Sequence, residues 1–366
     1  MNIGILGAGQ LGSMLAEEGI DLGHHFFFYS DELSTPAEKY GEVFNKERLD
    51  EFKKTIDLAT YETENTSLGL ISEIEKSAEI FPPKEILSIA QNRGFEKALF
   101  NNLNIPCANS VIVRSVEELR FAVDQIGLPS ILKTTTDGYD GKGQFFIRNE
   151  SEIQKAWESL STSEAILEGF VNFNRELSII GVRGLSGEQV FYPLVENIHK
   201  DGILRITIAP AKKISNETQR LAEDYITKIF DSTNHIGALT VELFETNDGL
   251  LVNEIAPRVH NSGHWTINGC TTSQFENHIR AISGMPLGSI KVKSNWCAMI
   301  NIIGKIGNIQ QFAQNQNIHV LLYGKTERKN RKIGHINVVA KSKSQLFNII
   351  QMLSEYYPKD IYKSFK

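Results

Sequence analysis

Residues 134–144 read TTTDGYDGKGQ, a segment that contains three glycines: Gly138, Gly141 and Gly143. The segment joins an apolar stretch ending at Lys133 to a second one beginning at Gln144. A glycine-rich loop between two strands differs from the P-loop and the Rossmann turn, which both precede a helix. Backbone N–H groups without a neighbouring Cβ can surround a polyphosphate, and Lys142 adds positive charge. The loop therefore indicates a nucleotide site, although such a hairpin can equally be only a flexible turn.

A second segment supplies two carboxylates that suit a metal ion. Glu242 lies in a predicted strand over 238–244, on its more polar face, and Glu254 lies in the strand that follows the turn at 247–249. Paired as a hairpin, the strands bring both carboxylates to one side together with Asn253. This set of oxygen ligands suits Mg²⁺ shared with substrate phosphates. Two solvated glutamates are the alternative interpretation.

The residues after Glu254 favour the functional interpretation. Arg258, His260, Asn261 and His264 crowd into a short stretch that leaves the end of a strand. Loops at strand ends, carried by a rigid sheet, are common places for ligand chemistry.

The chain also opens with a glycine turn, Gly7 to Gly12, that fits the dinucleotide-binding pattern G-x-G-x-x-G. Asp31 and Glu32 follow about 20 residues later, as a ribose-binding acid would. A NAD-dependent oxidoreductase is therefore an alternative. It leaves the second glycine loop and the pair of glutamates without a role.

Composition limits the class of protein. The chain has 366 residues, 41% of them hydrophobic, with a net charge of −6 and a pI of about 5.9. An acidic balance argues against a general binder of nucleic acid or anionic membranes. Three widely spaced cysteines suggest neither a disulfide framework nor a metal site. No leader and no long apolar run are evident, so we expect a cytoplasmic protein.

The order of predicted elements divides the chain into four parts. Strands and helices alternate over residues 1–106, which predicts a parallel α/β layout that ends in a helix over 97–103. Residues 107–170 contain the glycine loop and a helix over 116–126. Successive strands predict an antiparallel sheet over 171–285, and residues 286–366 add short strands and a final helix.

Several ordered segments together closely resemble the 5-(carboxyamino)imidazole ribonucleotide synthases, the ATP-grasp enzymes of purine biosynthesis. They are GILGAGQLGSM (4–14), Lys133, GYDGKGQ (138–144), VEL around Glu242, NEIAPRVHNSGH (253–264) and RKIGHIN (331–337). The resemblance implies a three-domain ATP-grasp fold with a Rossmann-like N-terminal domain (1–106), a lid (107–170) and an antiparallel-sheet catalytic domain (171–285). A C-terminal domain (286–366) extends the catalytic domain. The resemblance also implies a homodimer, and an enzyme that uses ATP and bicarbonate to carboxylate the amine of 5-aminoimidazole ribonucleotide.

The same resemblance implies roles for individual residues. Glu242 and Glu254 are the expected Mg²⁺ ligands. The expected ATP contacts are Arg93, Lys133, the loop residues Gly138, Tyr139, Asp140, Gly141, Lys142, Gly143 and Gln144, the hinge residues Glu168, Gly169, Phe170 and Val171, and Glu176, His199, Asn253 and Glu254.

The resemblance implies that Arg258 faces bicarbonate, and a guanidinium group can hold that planar anion with two hydrogen bonds. The resemblance makes Tyr139, Asp140 and Lys142 the substrate-facing residues, with Asp140 orienting the amine and accepting its proton. His260 and Asn261 complete that pocket. Structural loop contacts are the alternative for each of them.

The ribonucleotide is expected at the other end of the site. The resemblance assigns its 5′-phosphate to Lys325, Arg331 and Lys332, although a charged run is often only a solvated surface. Gln10, Leu11 and Gly12 of the opening turn, together with Glu62 and Glu64 in TYETENT (60–66), are further candidate substrate contacts.

Two departures from the family pattern concern the substrate. Ser13 stands where many relatives have arginine, and residues 135–137 stand where arginines often follow the strand lysine. Another ATP-grasp ligase, such as the formate-dependent glycinamide ribonucleotide formyltransferase, and an inactive ATP-binding scaffold remain alternatives. The segments 256–264 and 331–335 favour the carboxylating enzyme.

Overall fold

The computed structural model describes residues 1–32, 34–136, 143–312 and 314–358. Within these ranges the chain forms three β-sheets. The predicted residues Gly138, Tyr139, Asp140, Gly141 and Lys142 lie outside the described residues. No helix in these ranges is both long and apolar enough to cross a membrane.

The first sheet is parallel, with strand order β3-β2-β1-β4-β5, and confirms the expected α/β layout. Apolar side chains such as Ile3, Ile5 and Phe28 bury completely against the surrounding helices. Its strands are β1 (Asn2–Leu6), β2 (His25–Tyr29), β3 (Gly41–Phe44), β4 (Leu58–Tyr61) and β5 (Glu79–Ile80). The helices of this part are α1 (Gln10–Ile20), α2 (Leu49–Thr55), α3 (Leu68–Ile74), α4 (Lys84–Ala90) and α5 (Arg93–Asn102).

Helix α5 begins earlier than the sequence suggested. We expected a helix from Lys97, but the Asn92 side chain accepts hydrogen bonds from the backbone N–H groups of Gly94 and Phe95 and so caps a helix that starts at Arg93. The added turn places Arg93, Glu96 and Lys97 on neighbouring turns of one helix, facing the large sheet.

The second sheet is antiparallel, with order β6-β9-β7-β8. Its elements are β6 (Ser110–Val113), α6 (Val116–Ile126), β7 (Ser130–Thr134), β8 (Gln144–Ile147), α7 (Ile153–Leu160) and β9 (Ala165–Gly169). Strands β7 and β8 pair with Lys133 opposite Gln144, which confirms that the glycine loop connects two paired strands. Gly143 has a φ of +70°, where a side chain would be strained, and a Cβ there would lie 2.7 Å from Thr134 Oγ1.

The third sheet is the largest, and nine described strands belong to it. Their order is β15-β14-β10-β12-β13-β16-β18-β17, with β11 paired to β10. The strands are β10 (Arg175–Arg183), β11 (Gln189–Phe191), β12 (Val195–Lys200), β13 (Ile203–Ala209), β14 (Gly237–Thr246), β15 (Gly249–Ala256), β16 (Trp296–Ile303), β17 (Ile318–Leu322) and β18 (Lys332–Ala340). The helices are α8 (Asn216–Thr233), α9 (Thr266–Gly269), α10 (Gln274–Ile282) and α11 (Lys343–Met352).

Three irregularities interrupt the pairing in this sheet. The register shifts between Ile198 and His199, between Glu242 and Leu243, and between Ile302 and Ile303, where Ile303 faces Lys332. Five strand spacings separate β14 from β18, which would be about 24 Å in a flat sheet. Glu242 and Lys332 nevertheless line one cavity, so the sheet is strongly curved around it.

Candidate active site

A cavity of about 520 Å³ lies between the large sheet, the lid sheet and the start of α5. The predicted site residues that line it are Gln10, Leu11, Glu64, Arg93, Lys133, Gln144, Glu176, His199, Glu242, Asn253, Glu254, Arg258, His260, Asn261 and Lys332. Residues far apart in the sequence thus meet in one place.

The two candidate metal-binding carboxylates face each other. Glu242 of β14 pairs directly with Glu254 of β15, beside the register shift. Burial and the neighbouring charge of Glu254 raise the pKa of Glu242. No group of three or more His, Cys, Asp or Glu side chains suited to a metal occurs among the described residues. Two repelling carboxylates fit a divalent cation that takes its other ligands from phosphate oxygens and water.

Arg258 forms an ion pair with Glu64, a residue of the TYETENT segment. Burial alone would disfavour the charged carboxylate, but the charge and hydrogen bond of Arg258 lower the pKa of Glu64 to about 2. The guanidinium also donates to the backbone oxygen of Val259 at 3.0 Å. Arg258 is therefore held in place at the cavity wall.

His260 and Asn261 belong to a short turn that follows Arg258. His260 Nε2 lies 3.5 Å from Glu242 Oε1. Burial, followed by the positive charge of Arg258, keeps the pKa of His260 well below its usual value. The Asn261 and Asn301 side-chain amides exchange hydrogen bonds of 3.0 and 2.7 Å, so the turn is attached to β16.

Lys133 and its surroundings form a buried cluster of charges. Lys133 Nζ lies 2.7 Å from Glu168 Oε2, and Lys97 Nζ lies 3.7 Å from the other oxygen of the same carboxylate. Burial lowers the pKa of Lys133, and Glu168 opposes that shift. Arg93 lies 3.4 Å from Glu254, so α5 contacts both the lid and the carboxylate pair.

Glu176 and His199 face each other at 2.7 Å on neighbouring strands. Burial disfavours the protonated ring, but the hydrogen bond to Glu176 together with the negative charges of Glu242 and Glu176 outweighs this effect and raises the pKa of His199. A carboxylate held at the cavity wall suits the recognition of ribose hydroxyl groups.

The opening glycine turn contains a carboxylate of the protein itself. The backbone N–H groups of Gly9 and Gly12 donate to the two oxygens of Glu62, each at 2.7 Å. A Cβ at Gly7 would lie 2.4 Å from Glu62 Cγ, so glycine is required for this approach. The anion that the turn attracts is therefore Glu62, and these two N–H groups do not face a ligand phosphate.

Two of the three predicted phosphate-binding cations lie in a second cavity of about 420 Å³. Lys325 donates a hydrogen bond to the side chain of Gln10, and Arg331 lines the same cavity. Lys332 lies in the first cavity instead. Gln10 and Tyr323 line both cavities, which are therefore neighbours.

The predicted hinge residues, 168–171, differ in how deeply they are buried. Glu168 is buried in the charge cluster, whereas Phe170 is 45% exposed and packs edge-on against Phe146 of the lid. Gly169 ends β9 and donates its N–H to Asn109 at 2.9 Å. Neither Phe170 nor Val171 lines the cavity.

Sequence reasoning missed two charged residues of α5. Glu96 lines the cavity and accepts a hydrogen bond from the backbone of Ile255, and burial together with Glu254 raises its pKa to about 8. Lys97 donates to the backbone oxygen of Asn253 at 3.1 Å. The signal was the spacing of Arg93, Glu96 and Lys97, three and four positions apart, after the capping residue Asn92.

Three family models match the chain. They are the ribonucleotide synthetase preATP-grasp domain over residues 1–91, the ATP-grasp domain over 98–275 and the phosphoribosylaminoimidazole carboxylase C-terminal domain over 297–348. The three models follow one another along the chain without overlap.

Enzymes named N5-carboxyaminoimidazole ribonucleotide synthase or synthetase match nearly the whole chain. The N5-carboxyaminoimidazole ribonucleotide synthase of Pseudomonas aeruginosa is 41% identical over 351 residues, which cover 94% of this chain and 96% of that protein. The N5-carboxyaminoimidazole ribonucleotide synthetase structure from Thermus thermophilus has a TM-score of 0.93 at 40% identity and covers 98% of this chain and 99% of that one.

A third relative is the N5-carboxyaminoimidazole synthase of Aspergillus clavatus, whose structure contains ADP and 5-aminoimidazole ribonucleotide. It has a TM-score of 0.88 at 29% identity and covers 97% of this chain and 98% of that chain. With its preATP-grasp sheet, antiparallel lid sheet and curved antiparallel sheet, this chain has the ATP-grasp fold and belongs to the family of N5-carboxyaminoimidazole ribonucleotide synthases.

Proposed function

We propose that this chain is an ATP-dependent ligase that carboxylates 5-aminoimidazole ribonucleotide with bicarbonate, giving 5-carboxyaminoimidazole ribonucleotide, ADP and phosphate in purine biosynthesis. The observation that carries the proposal is one cavity in which the facing carboxylates Glu242 and Glu254 lie near Arg258 and adjoin the cationic cavity of Lys325 and Arg331. Full-length similarity to enzymes of this name supports it.

ATP is proposed to occupy the end of the cavity between the lid and the large sheet. Lys133 and Arg93 supply positive charge for the phosphates, and Glu176 accepts hydrogen bonds from the ribose. The hinge over 168–171 and the loop over 138–144 complete the ATP site in the proposal. Mg²⁺ would be held by Glu242 and Glu254 and would neutralise the charge that develops on the phosphates.

Arg258 is proposed to hold bicarbonate by two hydrogen bonds from the N–H groups at the edge of its planar guanidinium group. A bicarbonate oxygen attacks the γ-phosphorus, ADP departs, and carboxyphosphate forms. The exocyclic amine of the substrate then forms a bond to the carboxyl carbon, inorganic phosphate departs, and the nitrogen loses a proton. Asp140 is the proposed acceptor of that proton, with Tyr139 and Lys142 beside the substrate and Asn261 in the pocket wall.

The ribonucleotide is proposed to extend toward the second cavity. Lys325 and Arg331 bind its 5′-phosphate there, and Lys332 lies nearer the reacting end. Gln10 lies between the two cavities and suits a contact with the middle of the substrate. Leu11 and Gly12 contribute the shape of the turn, and Glu62 holds that turn together.

A dinucleotide in the opening turn is disfavoured. Its pyrophosphate would need the N–H groups that already bind the Glu62 carboxylate. On the family resemblance, we further propose that the enzyme works in the cytoplasm as a homodimer.

The test is release of phosphate from ATP by the purified full chain, with each co-substrate supplied or withheld. We expect release to require both 5-aminoimidazole ribonucleotide and bicarbonate. Release that ignores both would contradict the proposal, and release with glycinamide ribonucleotide and formate would identify the formate-dependent ligase instead. Glu254→Gln should abolish phosphate release while the fold is retained. A contaminating ATPase would be unaffected by this substitution, so the variant shows that the release comes from this protein.

A further inference from the structure

A continuous chain of buried hydrogen bonds leads across the large sheet to His260. Thr207 Oγ1 donates to Asn197 Oδ1 at 2.9 Å, Asn197 Nδ2 donates to Ser178 Oγ at 2.8 Å, and Ser178 Oγ donates to Ser262 Oγ at 2.8 Å. Thr207, Ser178 and Ser262 are 0% exposed, and Asn197 is 4% exposed. No solvent competes for these bonds, so their direction is set within the protein.

The donor-to-acceptor direction of this hydrogen-bonded chain is set at both ends. The amide nitrogen of Asn197 can only donate, so Ser178 accepts there and gives its own proton to Ser262. Ser262 Oγ lies 2.8 Å from His260 Nδ1, and the backbone N–H of Ser262 points to the same ring nitrogen at 3.3 Å. A backbone N–H cannot accept a hydrogen bond, and therefore Nδ1 presents its lone pair.

We propose that this hydrogen-bonded chain holds His260 in the tautomer that carries its proton on Nε2, and that His260 serves the reaction as a hydrogen-bond donor. Ser178, Asn197 and Ser262 are then positioning residues, because they act only through the ring. The inference rests on the proposed place of His260 in the substrate pocket.

The consequence concerns which group can act as a base. Nε2 is the ring nitrogen that lies 3.5 Å from Glu242 Oε1 at the cavity. With the proton there, His260 donates to Glu242 or to an oxygen of the reacting carboxyl group. Its Nε2 cannot accept the proton that the amine loses, so that proton must pass to another group.

The direct test is the tautomer itself, read from side-chain ¹⁵N and ¹H NMR of the full chain labelled with ¹⁵N-histidine. Comparison with His260→Gln identifies the signals of His260, and no substrate is needed. We expect an Nε2–H, Nδ1-lone-pair pattern. An Nδ1–H tautomer in the parent protein would overturn the proposal, whether or not the carboxylation itself is confirmed.

A matched pair of variants tests whether the hydrogen-bonded chain sets the tautomer of His260. Asn197→Asp keeps the shape but replaces the donor to Ser178 by an acceptor, so we expect the bonds to reverse and the His260 signals to shift toward Nδ1–H. Thr207→Val removes only the terminal donor and should leave the tautomer unchanged. Unchanged His260 signals in Asn197→Asp would show that the chain does not set the tautomer.

Kinetics then separate a donor from a base. The side-chain amide of glutamine places an N–H near the position of Nε2 but cannot accept a proton at that atom. We expect kcat/KM of His260→Gln to exceed that of His260→Ala by about 10-fold, the effect of one hydrogen bond to a charged group. Equal losses in the two variants would contradict the donor role.

Discussion

Lys133 Nζ lies 2.7 Å from Glu168 Oε2, and this buried pair joins β7 to β9 within the lid sheet. The other oxygen of Glu168 lies 3.7 Å from Lys97 of α5. One carboxylate therefore compensates two ammonium groups, one from the lid and one from the helix beside the cavity. The ion pair that Lys97 of the helix makes with the lid uses this one carboxylate.

Glu168→Gln should destabilise the ligand-free protein by about 3 kcal/mol, because two buried ammonium groups lose their counter-charge. Urea unfolding measures the change. Glu164→Gln is the matched control, since Glu164 pairs with Arg114 at the surface. This substitution should lower the free energy of unfolding by at most about 1 kcal/mol. Similar unfolding midpoints for both variants would refute the importance of the buried cluster.

Gly9→Ala should destabilise the protein by about 2 kcal/mol through overpacking. Gly9 has a φ of −81°, which alanine adopts freely, so the added Cβ is unfavourable only because Glu62 Oε1 would lie 2.7 Å away. In a Glu62→Ala background the same substitution should have a much smaller effect. Thermal unfolding of the double-mutant cycle measures this coupling, and strictly additive effects would exclude the steric explanation.

The Arg258–Glu64 pair predicts a dependence of stability on acid pH. The folded-state pKa of Glu64 is about 2, below its ordinary 4.5. Its contribution is therefore complete above pH 4.5 and declines as the pH falls toward 2, by about 3 kcal/mol in total. Glu64→Gln should remove this part of the acid dependence, measured as unfolding free energy against pH. The exposed Glu79→Gln should keep it, and identical profiles for parent and Glu64→Gln would contradict the assignment.

Glu242→Gln should separate stability from activity. Removing one of two facing carboxylates relieves their repulsion, so the ligand-free protein should gain about 1 kcal/mol. The stabilisation that Mg²⁺ and ATP give to the parent should disappear, together with phosphate release. Thermal shifts with and without Mg²⁺ and ATP measure both effects. Glu245→Gln, in the same strand, should instead lose stability because Glu245 binds Arg175 at 2.5 Å.

Lys325→Met should raise KM for 5-aminoimidazole ribonucleotide by about 10-fold or more, the value of a charge-assisted hydrogen bond to phosphate. KM for ATP should not change, because Lys325 lies in the second cavity. Lys329→Met, an exposed residue of the same basic run, is the control and should leave both constants unaltered. A change in KM for ATP alone would move Lys325 out of the ribonucleotide site. Steady-state phosphate release provides all these values.

Local pattern was sufficient for much of the fold. Helix α6 spans Val116–Ile126, the range that the sequence predicts, and the hairpin that pairs Glu242 with Glu254 follows from alternation around a turn. These elements are set by neighbours in the sequence. The family motifs located the residues of the main cavity for the same reason, since each motif is one short segment.

Contacts between distant segments could not be predicted in this way. Arg258 and Glu64 are 194 positions apart, and Glu62 enters the opening turn from 50 positions away. The glycine pattern of the opening turn predicts that the turn binds an anion. It does not show whether that anion belongs to a ligand or to the protein itself. The sequence predicts that helix α5 begins at Lys97, four residues too late, because the first turn of the helix is polar. The charged side chains of that turn find their partners only across the cavity.

The three register shifts of the large sheet adjoin His199, Glu242 and Lys332, which lie around one cavity. An extra residue in a strand bends it and reverses which face the next side chain occupies. Deleting one residue at any of these shifts would straighten the strand and turn a proposed site residue into the protein interior or away from it. Chain length at these three points is therefore as important for positioning the proposed site residues as the identity of their side chains.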